Sequence, residues 1–234
     1  DGQSSIQYYY DLLKDAADQQ LLVNFHGTTI PRGWSRTFPN LVAMESIRGF
    51  EFTTFDQKDT DLATKHLTMM PFARNVVGPM DFTPLCFGEI KGKQRKTSNA
   101  FELALTVVLQ SGIQHFVEIP QSMANQPEFV KDFLKTIPRH WDDIKLIDGF
   151  PGKYIVLARK YADKWYFGGI NSQNTSQKIK IDISLFVKSQ TNPVIVFTDG
   201  DNNRSIIQQS VTKSDRYIEL VLNPNGGFCF VLQE

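Results

Sequence analysis

Apolar residues follow two different spacings along the 234-residue chain, and the change comes near residue 152. Ile6, Tyr9, Leu12, Leu13 and Ala16 recur at helical intervals, which predicts a helix over residues 5–18 with Ser4 or Ser5 as its N-cap. The apolar run 21–25 that follows reads as a buried strand. Residues 101–111 have the length and composition of a helix, Gly112 suits its exit, and residues 113–119 predict a further strand. Residues 128–137 form an amphipathic helical pattern. Helix and buried strand thus alternate to about residue 150, as in an α/β layer or barrel.

Beyond Gly149-Phe150-Pro151-Gly152 the pattern becomes one of short β-rich runs: 154–158, 164–171, 178–183, 193–198, 205–211, 217–221 and 227–232. Turn residues separate them, which predicts an antiparallel β-sandwich. The expected organisation is α/β plus all-β: a partial (β/α)8 barrel over residues 1–151 and a β-sandwich over 152–234. No internal repeat is visible.

Composition narrows the function classes. A hydrophobic content of 41% with 12% aromatics can fill a sizeable core, and 25 basic against 25 acidic residues leave no net charge. Nucleic acid and anionic membrane are therefore disfavoured partners. No run of about 18 apolar residues suggests membrane insertion, and the first residues lack signal-peptide character. Cys86 and Cys229 fit no metal spacing and neither require nor exclude a disulfide. The opening Asp1-Gly2-Gln3 has no initiator Met and runs straight into a helix, so the chain is expected to be the C-terminal part of something larger. Cut from its partner strands, it should expose sheet edges and associate.

Candidate chemistry clusters after the apolar runs, where a (β/α)8 barrel places its catalytic residues. His26-Gly27 ends the first strand and leads into Pro31, Arg32, Trp34, Arg36 and Asn40. His26 is either a rim residue or a loop hydrogen-bonder, and Trp34 either a sugar-stacking wall or packing. Glu45 and Glu51 lie six residues apart with Arg48 and Gly49 between them. Two carboxylates at one pocket suit acid/base chemistry or a hard metal ion; alternatively, Glu45 and Arg48 form an ordinary ion pair. His66 and Arg74 precede Asp81, which either faces the same rim or accepts backbone bonds in a turn. No phosphate loop, Ser/His/Asp signature or zinc motif competes.

The strings NFHG, PRGWSRTFPN, MESIRGFE, MMPFARN, GPMDFTP and GKYIVLARKYADKWYFGGIN, in this order, resemble the C-terminal half of glycoside hydrolase family 97. The resemblance covers nearly the whole chain. It implies the later strands of a catalytic barrel and a C-terminal β-sandwich, with oligosaccharide or polysaccharide as substrate and a periplasmic or secreted location. It makes Glu51 the general acid, places Glu45 and Glu51 at a calcium site, and makes His26, His66 and Asp81 candidate sugar-binding groups. Inverting members carry His-Glu where this sequence has His26-Gly27. His-Gly resembles the retaining branch, which acts on α-galactosides with an Asp nucleophile expected just upstream of Asp1. The remaining alternative is a carbohydrate-binding or structural module at 152–234 beside a catalytically dead barrel.

Overall fold

The computed structural model describes residues 2–187, 193–214 and 216–234, so Asp1 lies outside the described residues. Helix α1 (Gln3–Asp18) forms as its apolar spacing predicts. Gly2 rather than Ser4 or Ser5 occupies the N-cap, because the helix starts early enough to place both serines in its first turn. Its Leu13 is buried against a cluster of Val23, Phe25, Trp34, Leu41 and Met44. Strand β1 (Val23–Phe25) is shorter than the apolar run, since Leu21 and Leu22 remain exposed ahead of the ladder.

β1 pairs in parallel with β2 (Leu41–Met44), Phe25 lying opposite Met44, and Met44 makes a parallel bridge to Met80. Two backbone bonds extend this ladder by one residue. Glu45 N–H donates to the Phe25 carbonyl at 2.8 Å, and Asp81 N–H to the Met44 carbonyl at 3.2 Å. Parallel pairing aligns successive strand ends, so His26, Glu45 and Asp81, each directly after a laddered residue, emerge side by side.

After β2 the chain passes through α2 (Phe52–Phe55) and α3 (Gln57–Met69), where Asp56 caps α3 by accepting from Asp59 N–H at 2.8 Å. Buried Arg74 then donates to the carbonyls of Met44 (2.6 Å), Glu45 (3.2 Å), Gly78 (3.1 Å) and Pro79 (3.1 Å). One guanidinium thereby ties the end of β2 to the segment that delivers Asp81. Helix α4 (Asn99–Val108) is buried on every side, as its continuous apolar composition requires. Ser98 caps it, accepting from Phe101 N–H at 3.0 Å.

The strand predicted over residues 113–119 does not form. Gly112 crosses so close to β2 that an added Cβ would lie 2.3 Å from the Val42 carbonyl oxygen. Gln114 then turns back, its amide donating to the Thr106 and Leu109 carbonyls at 3.3 Å each. The backbone is left with a single bond to the neighbouring segment, Val117 N–H to the Pro84 carbonyl at 3.1 Å, and Phe116, Val117 and Ile119 stay partly or largely exposed. An apolar run without a partner strand cannot build a ladder. Helices α5 (Pro120–Ala124) and α6 (Glu128–Thr136) follow, the latter close to the predicted span.

The remaining strands are β3 (Asp143–Phe150), β4 (Tyr154–Tyr161), β5 (Lys164–Asn171), β6 (Gln177–Asp182), β7 (Val194–Asp199), β8 (Ile206–Val211), β9 (Tyr217–Leu222) and β10 (Gly227–Gln233). All seven predicted β runs form. β3 was not foreseen, and it pairs antiparallel with β4, so the Pro151-Gly152 turn lies inside a hairpin rather than ahead of the first strand. Six strands make an antiparallel sheet in the order β3-β4-β5-β10-β7-β8, and β6-β9 form a second. Between them Trp165, Phe167, Phe228 and Phe230 are buried against Ile179, Ile181, Ile218 and Leu222. These four aromatics lie inside the sandwich, whereas Phe150 and Tyr161 are exposed. No helix among the described residues is long and apolar enough to cross a membrane.

The opposite face of the large sheet carries α4. Arg159 of β4, buried, donates to the Val107 carbonyl at 2.7 Å and the Val108 carbonyl at 3.1 Å, closing the helix C-terminus; burial lowers its pKa to about 10. At the other end a Cβ on Gly227 would lie 2.6 Å from Phe101 Cα and 2.8 Å from the Ala100 carbonyl oxygen. Because the obstacles are backbone atoms, Gly227→Ala is expected to destabilise the protein by about 1–3 kcal/mol, the usual cost of overpacking. Urea unfolding checks this, and an unchanged midpoint would contradict the close approach of α4 to β10.

Candidate active site

Each strand end that carries a polar group is followed by backbone in the left-handed region: Gly27 (φ 64°) after His26, Ser46 (φ 44°) after Glu45, and Thr83 (φ 59°) two residues after Asp81. The chain therefore turns sharply away from each ladder end and leaves the side chain at the rim. Gly27 meets this demand without Cβ strain, and its N–H donates to Glu45 Oε2. Thr83, and Leu85 at φ 77°, are side-chain-bearing residues in the same region, a strain that accompanies functional sites.

Three carboxylates meet around one imidazole. His26 Nδ1 lies 3.0 Å from Asp81 Oδ2 and 3.6 Å from Glu45 Oε2, and Nε2 lies 3.4 Å from Glu51 Oε2. Glu45 and Asp81 are buried, whereas the His26 and Glu51 side chains are 50% and 48% exposed. The hydrogen bond that His26 donates to Asp81 raises the His26 pKa above the ordinary 6.5, burial opposes it, and Glu51 and the charge of Glu45 add to the rise. Asp81 also faces a second imidazole, with His115 Nδ1 3.5 Å from Oδ1.

The predicted residues His26, Glu45, Glu51 and Asp81 are thus brought together, and His66 is not. His66 sits on α3 with Nε2 at 2.9 Å from the Arg48 carbonyl, lining a separate apolar cleft with Phe52, Leu62 and Met69. Burial there lowers its pKa, which suits a neutral donor holding the 45–51 loop from behind. Arg48 pairs with Asp59 at 3.0 Å and lies over the Phe52 ring, so Glu45 is not its ion-pair partner. Trp34 is buried and packs on Tyr9 and Tyr10, which decides for packing over a sugar-stacking wall. Sequence reasoning missed His115. Its signal was the polar pair Gln114-His115 inside a run otherwise read as a buried strand.

Donor atoms of His26, Glu45 and Glu51 all lie within 4.8 Å of one another. Glu45 Oε1 is buried without a hydrogen-bond partner, and an added Cβ at Gly49 would lie only 2.7 Å from it. A desolvated carboxylate oxygen in that condition suits a hard cation. Glu51, half-exposed and beside an imidazole, is placed to give and take a proton at the rim.

Residues 140–233 match the family model described as glycosyl-hydrolase 97 C-terminal, oligomerisation, and residues 1–47 match the glycoside hydrolase 97 model. A probable retaining α-galactosidase of Streptomyces bingchenggensis is 40% identical over 169 residues, covering 72% of this chain and 25% of that protein. The retaining α-galactosidase of Bacteroides thetaiotaomicron is 30% identical over 250 residues, covering 100% of this chain and 37% of that protein. The chain thus spans well under half the length of either relative. Among solved structures, a β-arabinopyranosidase superposes with a TM-score of 0.87 at 34% identity, over 96% of this chain and 36% of its own. A family 97 enzyme from Pseudoalteromonas sp. strain K8, solved with panose, gives 0.83 at 28% identity over 100% of this chain and 38% of its own. With both ends matched to one family and the whole fold superposed on its members, the chain belongs to glycoside hydrolase family 97.

Proposed function

We propose that these residues supply the later strands of the catalytic barrel, and the sandwich behind them, of a retaining exo-α-glycosidase acting on terminal α-galactosides. The Phe25–Met44–Met80 ladder is assigned to consecutive strands of a (β/α)8 barrel, whose C-terminal ends carry the chemistry. One observation carries the assignment: of the three carboxylates around His26, Glu45 and Asp81 are buried and Glu51 alone is half-exposed. Glu51 is the carboxylate with access to a glycosidic oxygen.

In a retaining double displacement Glu51 first protonates the departing oxygen and then takes a proton from the water that releases the glycosyl-enzyme. The nucleophile is assigned to a carboxylate of a neighbouring barrel strand outside these 234 residues. His26, its ring oriented by buried Asp81, holds a sugar hydroxyl. Gly27 offers no carboxylate at the position where the family resemblance implies a Glu in inverting members, and the two relatives above are described as a probable retaining and a retaining α-galactosidase. Glu45 and Glu51 are the residues that would hold calcium, with the unpartnered Glu45 Oε1 as the motivating atom. Bound there, the ion supplies fixed positive charge to the carboxylates.

Three outcomes are expected of the complete enzyme. Glu51→Gln should lose about 10²–10⁴-fold in turnover of glycosides with poor leaving groups and much less with activated aryl glycosides. Azide should restore turnover of the aryl glycoside and yield the α-glycosyl azide; product analysis that finds the β-azide refutes retention. Chelation of calcium should lower the melting temperature of the wild-type enzyme, as loss of any ligand of the native state does, and leave Glu45→Gln unaffected. Equal shifts in both proteins, read by calorimetry, would remove Glu45 from the ion.

A further outcome concerns pH. Because the His26 pKa is raised in the folded protein, its stabilising contribution is fully present below 6.5 and is lost as the pH rises through the folded value. NMR titration of the His26 ring in calcium-free enzyme should give a pKa above 6.5. In His26→Gln the stability curve should be flatter across that window, and a His26 pKa at or below 6.5 contradicts the arrangement of acids around it.

A further inference from the structure

Asp81 is a buried carboxylate whose two oxygens each face a different imidazole, His26 on Oδ2 at 3.0 Å and His115 on Oδ1 at 3.5 Å. Both rings are half-exposed, at 50% and 51%, so the pair presents two hydrogen-bonding edges at one rim. His26 directs its second nitrogen to Glu51, whereas no described residue bonds Nε2 of His115. Burying a carboxylate is costly, and one that fixes two partly solvated imidazoles is placed for what they meet outside the protein.

The backbone around His115 is held in a manner that a surface loop does not require. Gly112 presses against β2, Ser111 Oγ donates to the Ile113 carbonyl, and the Gln114 amide is bound to the end of α4. Val117 N–H fastens the far side to Pro84, within the strained 83–85 segment. The run predicted as a strand is therefore an irregular arm, anchored at both ends and delivering one imidazole to the rim.

We propose that His115 is a substrate-contacting, specificity-determining residue: Asp81 fixes its ring so that Nε2 hydrogen-bonds one hydroxyl of the glycosyl unit whose bond is cleaved. This rests on the glycosidase assignment above. A rigid imidazole edge distinguishes a hydroxyl from its absence because the wrong sugar leaves a desolvated polar group unpaired.

The test uses the complete enzyme with an aryl α-galactoside and its monodeoxy analogues, comparing wild type with His115→Ala. On the parent substrate the variant should lose about tenfold in kcat/KM, the scale of one hydrogen bond. On one monodeoxy analogue wild type and variant should be equal, because the partner hydroxyl is already gone. A loss that is the same across the whole series, or no loss on the parent, overturns the contact. His115→Gln, which retains a polar side chain, should show the same single-analogue pattern with a smaller loss; a uniform loss there as well makes His115 a fold-maintaining residue and refutes the proposal. Wild-type enzyme that cleaves no member of the series, nor any other α-glycoside, overturns the glycosidase assignment itself, an outcome distinct from any behaviour of the variants.

Discussion

The rim exists because two peptide hydrogen bonds run past the ends of very short strands. Glu45 N–H to the Phe25 carbonyl and Asp81 N–H to the Met44 carbonyl keep the ladder in register for one residue more than the side-chain core needs. A three-residue strand has little cohesion of its own, and here the buried guanidinium of Arg74 reinforces the alignment by collecting carbonyls from both sides. If the register slipped by one residue, the polar residues at the strand ends would face away from one another.

That alignment gives three acids with unequal access to water. Glu45 is held by the Gly27 amide, Asp81 by two imidazoles, and only Glu51, at the entry to α2 and off the ladder, is free to change partner. The division is set by topology: strand ends are buried by their neighbours, whereas a residue in the following turn is not. The 45–51 loop is held on its far side by His66 and by the Arg48–Asp59 pair.

How far the sequence foretold this depends on which forces leave a local trace. Helix α1 announces itself through its apolar spacing, the seven later strands through short β-rich runs bounded by turn residues, and the site residues after Phe25 and Met44 through the apolar runs before them. β3 was not foreseen although Asp143-Ile144-Lys145-Leu146 alternates, because it is an edge strand whose apolar Ile144 and Leu146 stay exposed and mark no core face. The run 113–119 misled for the opposite reason: it is apolar enough for a strand, but its fate was settled by contacts at Gly112 and Gln114 with elements distant in sequence. On the same ground His66, expected at the rim, lies on α3 against the Arg48 carbonyl, and His115, not singled out, faces Asp81. Nearness to the rim is a tertiary property, and neither histidine's surroundings could be inferred from its neighbours in the chain.

Helix α4 belongs to neither half alone. Its N-terminus meets the backbone of β10, its C-terminal carbonyls are closed by Arg159 from β4, and its last turn receives the side chain of Gln114. Local openings free only segments whose contacts are few, and this helix has contacts on every face. Its amide protons should therefore exchange with solvent only when the large sheet comes apart as well, which makes the helix and the sheet a single cooperative unit. The change in composition near residue 152 falls inside the β3–β4 hairpin, and the mechanical seam does not lie there.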